Sequence, residues 1–231
     1  MPLAGIAGIE KPGGGENNAL VLGAEMFEAD SQLVLDEYLS GQIKEEHLLK
    51  EGKVWPNYKT DYAPLVNFAR DNSMPFIATN IPRRYASIVA RDGLAGLEKV
   101  DNKAKQFIAP LPVQVDFELP SYKEMAEMMG GQMPSAHGGQ SMVEAQAIKD
   151  ATMAYFISKS MVSGKVFYHI NGSFHSKDNE GIIWYLKKSN PELRIRTIAV
   201  VEQDSLEEVE EDYKNQADFI IIVPSDMTKT Y

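Results

Sequence analysis

Apolar positions along this chain follow two rhythms. The continuous apolar run Ala19–Gly23 (ALVLG) reads as a strand buried on both faces, and Pro75–Thr79 (PFIAT), Val166–Ile170 (VFYHI), Arg194–Val201 and Ala217–Val223 (ADFIIIV) read as further strands. Between them, apolar residues recur at helical spacing. Ser31 caps a helix that carries Leu33, Leu35 and Leu39 and stops near Gly41, and a second helix covers Ile43–Glu51. Pro64 opens a third with Leu65, Val66, Phe68 and Ala69 on its apolar face, after an aromatic connection through Trp55, Tyr58 and Tyr62. A fourth follows Pro82 and runs to about Val89. A long amphipathic helix is expected over Ser141–Met161, with Val143, Ala147, Ala151 and Ala154 on one side, preceded by a helix end at Met125–Gly131. After the Val166–Ile170 strand come Asn171-Gly172, then Ser173, Phe174 and His175. A helix with Ile182, Ile183, Tyr185 and Leu186 follows, closed by Lys187, Lys188 and Pro191.

Strands alternating with helices predict an α/β fold with a mostly parallel sheet flanked by helices. The stretch 98–163 interrupts the alternation and reads as a mainly helical insertion or subdomain over the carboxyl edge of the sheet. The α/β core is then 19–97 with 164–231. Met1–Asn18, with Pro12-Gly13-Gly14-Gly15, is expected to be a flexible lead-in, and Asp204–Asp212 an acidic helix or loop.

Parallel sheets present their carboxyl strand ends along one edge, where ligands bind. Four such ends carry polar groups here: Glu25; Asn80 with Arg83 and Arg84; His175; and Ser225 with Asp226. A carboxylate, an imidazole and guanidinium groups suit a metal or an anion, and equally suit capping and ion pairing at helix starts. His175, placed after a strand end, reads equally as a functional group and as a surface or capping residue. His137, in the loop Met133–Gln140, reads first as a mobile, solvent-exposed histidine. Lys149 and Asp150 on the long helix read as solvated, although Gln146 and Asp150, one helical turn apart, can both face a site. Trp184 and Tyr185 read as packing residues.

Composition narrows the classes. A chain of 231 residues, 44% hydrophobic and 24% charged, buries a real core. Its net charge of −10 argues against nucleic acid or an anionic membrane surface as the main partner. The absence of cysteine removes disulfides, thiolate nucleophiles and cysteine metal sites. No apolar run approaches the roughly 20 residues of a membrane helix, and Met1–Asn18 does not have the form of a signal peptide. P-loop, G-x-G-x-x-G, G-x-S-x-G and H-E-x-x-H patterns are absent.

Several strings taken together resemble one family: LGAEMFEADSQLVLDEYLSG (Leu22–Gly41), Tyr62-Ala63-Pro64-Leu65, IATNIPRR (Ile77–Arg84), AHGG and EAQAIKDATMA within Ala136–Ala154, and INGSFH (Ile170–His175). In order and approximate spacing they look like the ChaN proteins, haem-binding and iron-regulated, of the Tiki/erythromycin-esterase-like superfamily. The resemblance implies haem as cofactor, bound beside a helical subdomain and often at a homodimer interface. It also implies an envelope lipoprotein of bacterial iron and haem uptake, non-enzymatic in its role. Iron held by tyrosine with histidine nearby makes Tyr62 and Tyr85 candidate ligands, His137 and His175 the neighbouring histidines, and Arg83 and Arg84 partners for propionates. The superfamily's first motif, a strand ending in G-E-x-H, has no counterpart in Met1–Asn18, which implies a sheet short of one strand. Two other readings follow from that gap: a metal-dependent hydrolase using Glu25, Arg83 and His175, and a homologue that binds a protein partner.

Overall fold

The computed structural model describes residues 3–6, 19–130 and 138–229. Its sheet has six strands, β1 Leu3–Ile6, β2 Leu20–Glu28, β3 Phe76–Asn80, β4 Val166–Gly172, β5 Thr197–Gln203 and β6 Phe219–Pro224, in the order β3-β2-β4-β1-β5-β6. β2 runs parallel to β3 and β4, and β5 parallel to β6, as the alternation of strands and helices requires.

β1 corrects the expectation for Met1–Asn18. Leu3–Ile6 is not a lead-in but an inner strand, antiparallel to β4 on one side and β5 on the other. The sheet is therefore not left with a gap between β4 and β5. The run Leu3-Ala4-Gly5-Ile6 is apolar but short, and the glycines and proline that follow it hid the signal. A second correction concerns β2, which continues past Gly23 to Glu28, so Glu25 lies inside the strand and not beyond its end. The pairing with β3 slips between Ala24 and Glu28, which lets the far end of β2 turn out of strict register.

Helices α1 Gln32–Leu39, α2 Glu45–Glu51 and α3 Ala63–Asp71 cover one face of β2, β3 and β4. The core there is Leu22, Ala24, Met26 and Phe27 of β2 against Leu35, Tyr38, Leu48, Val66 and Phe76, with Tyr168 and Ile170 of β4 at its margin. Side chains alternate along a strand, so Gly23 and Glu25 of β2 and Phe167, His169 and Asn171 of β4 point to the opposite face. That face is covered by α4 Arg83–Asp92, α7 Gly138–Ser160 and α8 Ile182–Ser189. Gly23 is the point of closest approach, because a Cβ there would stand 2.7 Å from the Phe167 ring.

α7 is the central helix of this layer. It touches β2, β3, α4, α8 and α6 (Pro120–Gly130). Val143, Ala145, Ala147, Ile148, Ala151, Met153, Ala154 and Ile157 are all buried, which is the pattern of a helix packed on most of its circumference and not on one stripe. Its many alanines allow the neighbours to come close. The stretch Gly93–Tyr122 contains a 3-10 segment at Leu94–Lys99 and the short helix α5 Asn102–Lys105, and α6 begins at its end. Asp204–Asp212 is mostly loop, with one 3-10 turn at Glu211–Tyr213.

Candidate functional site

The residues that carry charge into the interior meet where β2, β4 and α7 come together. Glu25 reaches from β2, Asp150 from the middle of α7, and His175 from a 3-10 turn, Ser173–His175, directly after β4. Asp150 is fully buried and His175 is 5% exposed. His175 Nδ1 lies 2.5 Å from Asp150 Oδ1, and Nε2 lies 3.2 Å from Glu25 Oε1. Each ring nitrogen therefore donates to a carboxylate, which makes the ring an imidazolium.

The remaining acceptors are filled by donors from other elements. The Gly172 N–H donates to Glu25 Oε2 at 2.7 Å, and the Tyr122 hydroxyl of α6 donates to Asp150 Oδ2 at 2.8 Å. The Gln146 carboxamide, one turn before Asp150, sits 3.0 Å from Nδ1. Gly181 makes the arrangement possible. Its φ is +55°, and a Cβ there would fall 2.5 Å from the His175 carbonyl oxygen and 3.3 Å from Asp150 Oδ2.

Burial and charge act against each other at every member. Burial disfavours the charged ring of His175, but the Glu25 and Asp150 carboxylates outweigh it and push the group up to about 10. Burial raises Glu25, yet the His175 charge and bond, with the Gly172 N–H, hold it down at about 2. Asp150, the deepest, is pushed up by burial, against the opposing pull of His175 and Tyr122. A second histidine behaves differently. His169 of β4 is fully buried without a carboxylate partner, and burial lowers it to about 4. The neutral ring donates Nδ1–H to Asn171 Oδ1 at 2.9 Å and accepts the Thr79 hydroxyl at Nε2 at 2.7 Å.

Such a centre is chemically closed. An imidazolium with both N–H groups engaged has no lone pair for a metal and takes no proton from a substrate. Among the described residues, no three histidine, aspartate or glutamate side chains form a group that could hold a metal ion.

The structure gathers only some of the expected site residues. Glu25 and His175 come together, and Asn80 joins them through its Nδ2, which donates to the Glu25 carbonyl at 3.0 Å. Arg84 turns outward to Asp30 Oδ2 at 2.6 Å, an oxygen shared with Lys53 at 2.7 Å, and lies over the Tyr85 ring at 4.4 Å. Arg84 Nη2 donates to the Tyr85 hydroxyl at 3.1 Å. Arg83 is exposed at the start of α4. Tyr62 is not at this centre. It is buried in the core on the other sheet face, edge-on to Trp55, because the aromatic connection packs beneath α3. Ser225 and Asp226 follow β6 at the far edge of the sheet, three strands from β4, so the fourth strand end does not converge with the others. His137 lies outside the described residues.

Asp150, expected to be solvated, is fully buried, and with Gln146 it takes the alternative that their one-turn spacing left open, facing the site. Tyr122 and His169 carried no signal: one opens a helix directly after a Pro-rich stretch, the other sits inside an apolar strand.

Comparison with known proteins agrees with the fold. The family described as "Haem-binding uptake, Tiki superfamily, ChaN" matches residues 3–186. The structure titled "Cofacial heme binding to ChaN of Campylobacter jejuni" superposes with a TM-score of 0.60 at 18% identity, covering 88% of this chain and 73% of that one. Protein RETICULATA-RELATED 5, chloroplastic, of Arabidopsis thaliana is 25% identical over 150 residues, 63% of this chain. The match spans only 20% of that plant protein's length. No helix among the described residues is long and apolar enough to cross a membrane. The family match takes in β1 to β4, the three charged residues of the buried centre and most of α8, and the chain belongs to the ChaN family of haem-binding uptake proteins in the Tiki superfamily.

Proposed function

We propose that this protein binds haem in iron or haem uptake and performs no hydrolysis. Membership of the family supports the ligand. The observation that carries the choice between binding and catalysis is the state of His175, whose two nitrogens are both consumed by buried carboxylates. A hydrolase would need that imidazole free, as a metal ligand or a base.

The haem ligands are then sought at the surface and not at the buried centre. Tyr85 supplies a half-buried phenol on α4, and a phenolate oxygen suits ferric iron. Arg83 supplies an exposed guanidinium able to take a propionate in a forked contact, whereas Arg84 is already paired with Asp30. His137 completes the candidate set. Haem bound there would supply an iron centre for carriage. The residues of this chain hold its edge charges and its iron, and the Glu25–His175–Asp150 cluster fixes the helices around them.

Hemin titration followed in the Soret region tests the proposal. A saturable shift at micromolar hemin is expected. Tyr85→Phe should remove the phenolate-type spectrum, and Arg83→Ala should weaken binding by up to about tenfold, the order of one charge-assisted contact. No saturable shift with the parent protein would end the haem reading. Light scattering of the loaded protein reads how many copies share the ligand.

A further inference from the structure

We propose that the cleft between α8 and the segments entering β5 and β6 is a binding site for a flat apolar anion, an aromatic ring system bearing a sulfonate or carboxylate. The cleft is a groove open to solvent, with room for about 640 Å3. Its floor is apolar, built by Ile183 and Ile195 with the partly exposed ring of Trp184. Its rim is cationic, although the chain as a whole carries −10. This combination selects a ligand with an apolar face and an acidic edge.

The rim residues do different work. Lys187 is occupied, its ammonium donating to the carbonyls of Pro191 and Leu193, so it closes one wall. Lys188 lies 4.3 Å from the Trp184 ring centroid and also donates to Gln114 Oε1 at 2.6 Å, which places one positive charge at the edge of the aromatic floor. Arg196 is 64% exposed; its Nη1 donates to the Ile195 carbonyl at 3.1 Å and lies 3.6 Å from Asp218 Oδ1. The other oxygen of Asp218 accepts from the backbone N–H and the hydroxyl of Thr197. That carboxylate is therefore fixed as a cap for β5, and most of the Arg196 fork stays available to an incoming anion. No imidazole, phenol or thioether lines the cleft, so ring and charge are recognised and a metal is not needed. None of the residues of the buried centre borders it.

The test uses the intact chain and anilinonaphthalenesulfonate, a fluorescent probe with two aromatic parts and one sulfonate. Saturable binding of one equivalent at micromolar concentration is expected, with energy transfer from Trp184. Trp184→Leu should remove the larger part of the transfer and leave only what Trp55 contributes. Lys188→Glu with Arg196→Gln, both exposed positions, should weaken binding by about tenfold or more. Ile221→Asp, on a distant strand surface, should leave binding as it is and so separates the cleft from general apolar adhesion. Phenylnaphthylamine, which lacks the sulfonate, should bind much more weakly. Equal affinity for the neutral analogue, or charge variants that bind like the parent, would overturn the proposal. Because the probe contains no iron, these outcomes are independent of the hemin titration.

Discussion

The two halves of the sheet are built differently. β3, β2 and β4 are covered by helices on both faces, α1 to α3 on one and α4, α7 and α8 on the other. β5 and β6 are not. Ile170 of β4, Gly5 of β1, Ile198 of β5 and Phe219 of β6 stand opposite one another across the strands, so they share a face. That face is packed at Ile170 but open at β6, where Phe219 and Ile221 are 58% and 51% exposed. The buried charges all lie in the covered half. An ion kept from water needs bonds from several directions, and only there can α6, α7, β2 and β4 all contribute. The other half has too few layers to seal a charge. It leaves a ligand-sized cleft and an apolar strand surface in their place.

The largest effect expected from this difference is at Asp150. Asp150→Ala removes one of the two carboxylates from His175 and the Oδ2 acceptor of Tyr122, and leaves the buried Nδ1–H without its carboxylate and Glu25 alone to balance the ring's charge. Breaking a buried pair from one side costs about 3–5 kcal/mol. Urea unfolding of the variant measures it, and a loss below about 1 kcal/mol would mean that water reaches the covered half as readily as the open one.

A smaller effect should appear with pH, and its sign differs among the four groups. His175 is raised from 6.5 to about 10, so its contribution is complete below pH 6.5 and is lost as pH rises towards 10. His169 is lowered from 6.5 to about 4, so its contribution is complete above 6.5 and is lost as pH falls towards 4. Glu25 is lowered from 4.5 to about 2, and its contribution fades below 4.5. Asp150, raised by burial, acts oppositely to Glu25 and makes the acid side shallower. Stability should therefore peak near pH 6.5. The alkaline side is the diagnostic one, with a loss of up to about 2 kcal/mol between pH 6.5 and 8. His175→Gln should flatten that side in urea titrations; it also removes the charge that holds Glu25 down, so the acid side that remains is chiefly that of His169. A parent protein as stable at pH 8 as at 6.5 would contradict the imidazolium.

Periodicity alone made the covered half readable. The runs Ala19–Gly23, Pro75–Thr79 and Val166–Ile170 are strands, and the helices between them fall near their expected limits, because burial on both faces writes an unbroken apolar signal. β1 was missed because its signal is four residues long and borders a Gly-Pro stretch. The site was half legible. A histidine just beyond a strand and an acid one helical turn after Gln146 were visible as candidates, but their meeting depends on how α7 crosses the sheet, which no local pattern encodes. Tyr62 shows the converse. An aromatic residue in a connection looked available for a ligand, whereas the space beneath α3 takes it into the core. Ser225 and Asp226 failed for a topological reason, since sequence gives strand ends but not strand order.

The smallest effect is expected where the contrast is sharpest. Ile221 lies on β6, in line with Val200 of β5, and half of its surface is already in water. Ile221→Asp puts a charge on a strand position, as Asp150 puts one on a helix position, but here the carboxylate remains solvated and needs no partner. Its cost to stability should stay within about 0.5 kcal/mol. Among the described residues β6 is also the edge of the sheet and has an apolar face, the combination that invites association between chains. The substitution should therefore lower any self-association seen by light scattering at high protein concentration while leaving urea unfolding almost unmoved. A loss of several kcal/mol would show instead that this face is packed against another part of the chain or a second copy, and the two halves of the sheet would then be equally covered.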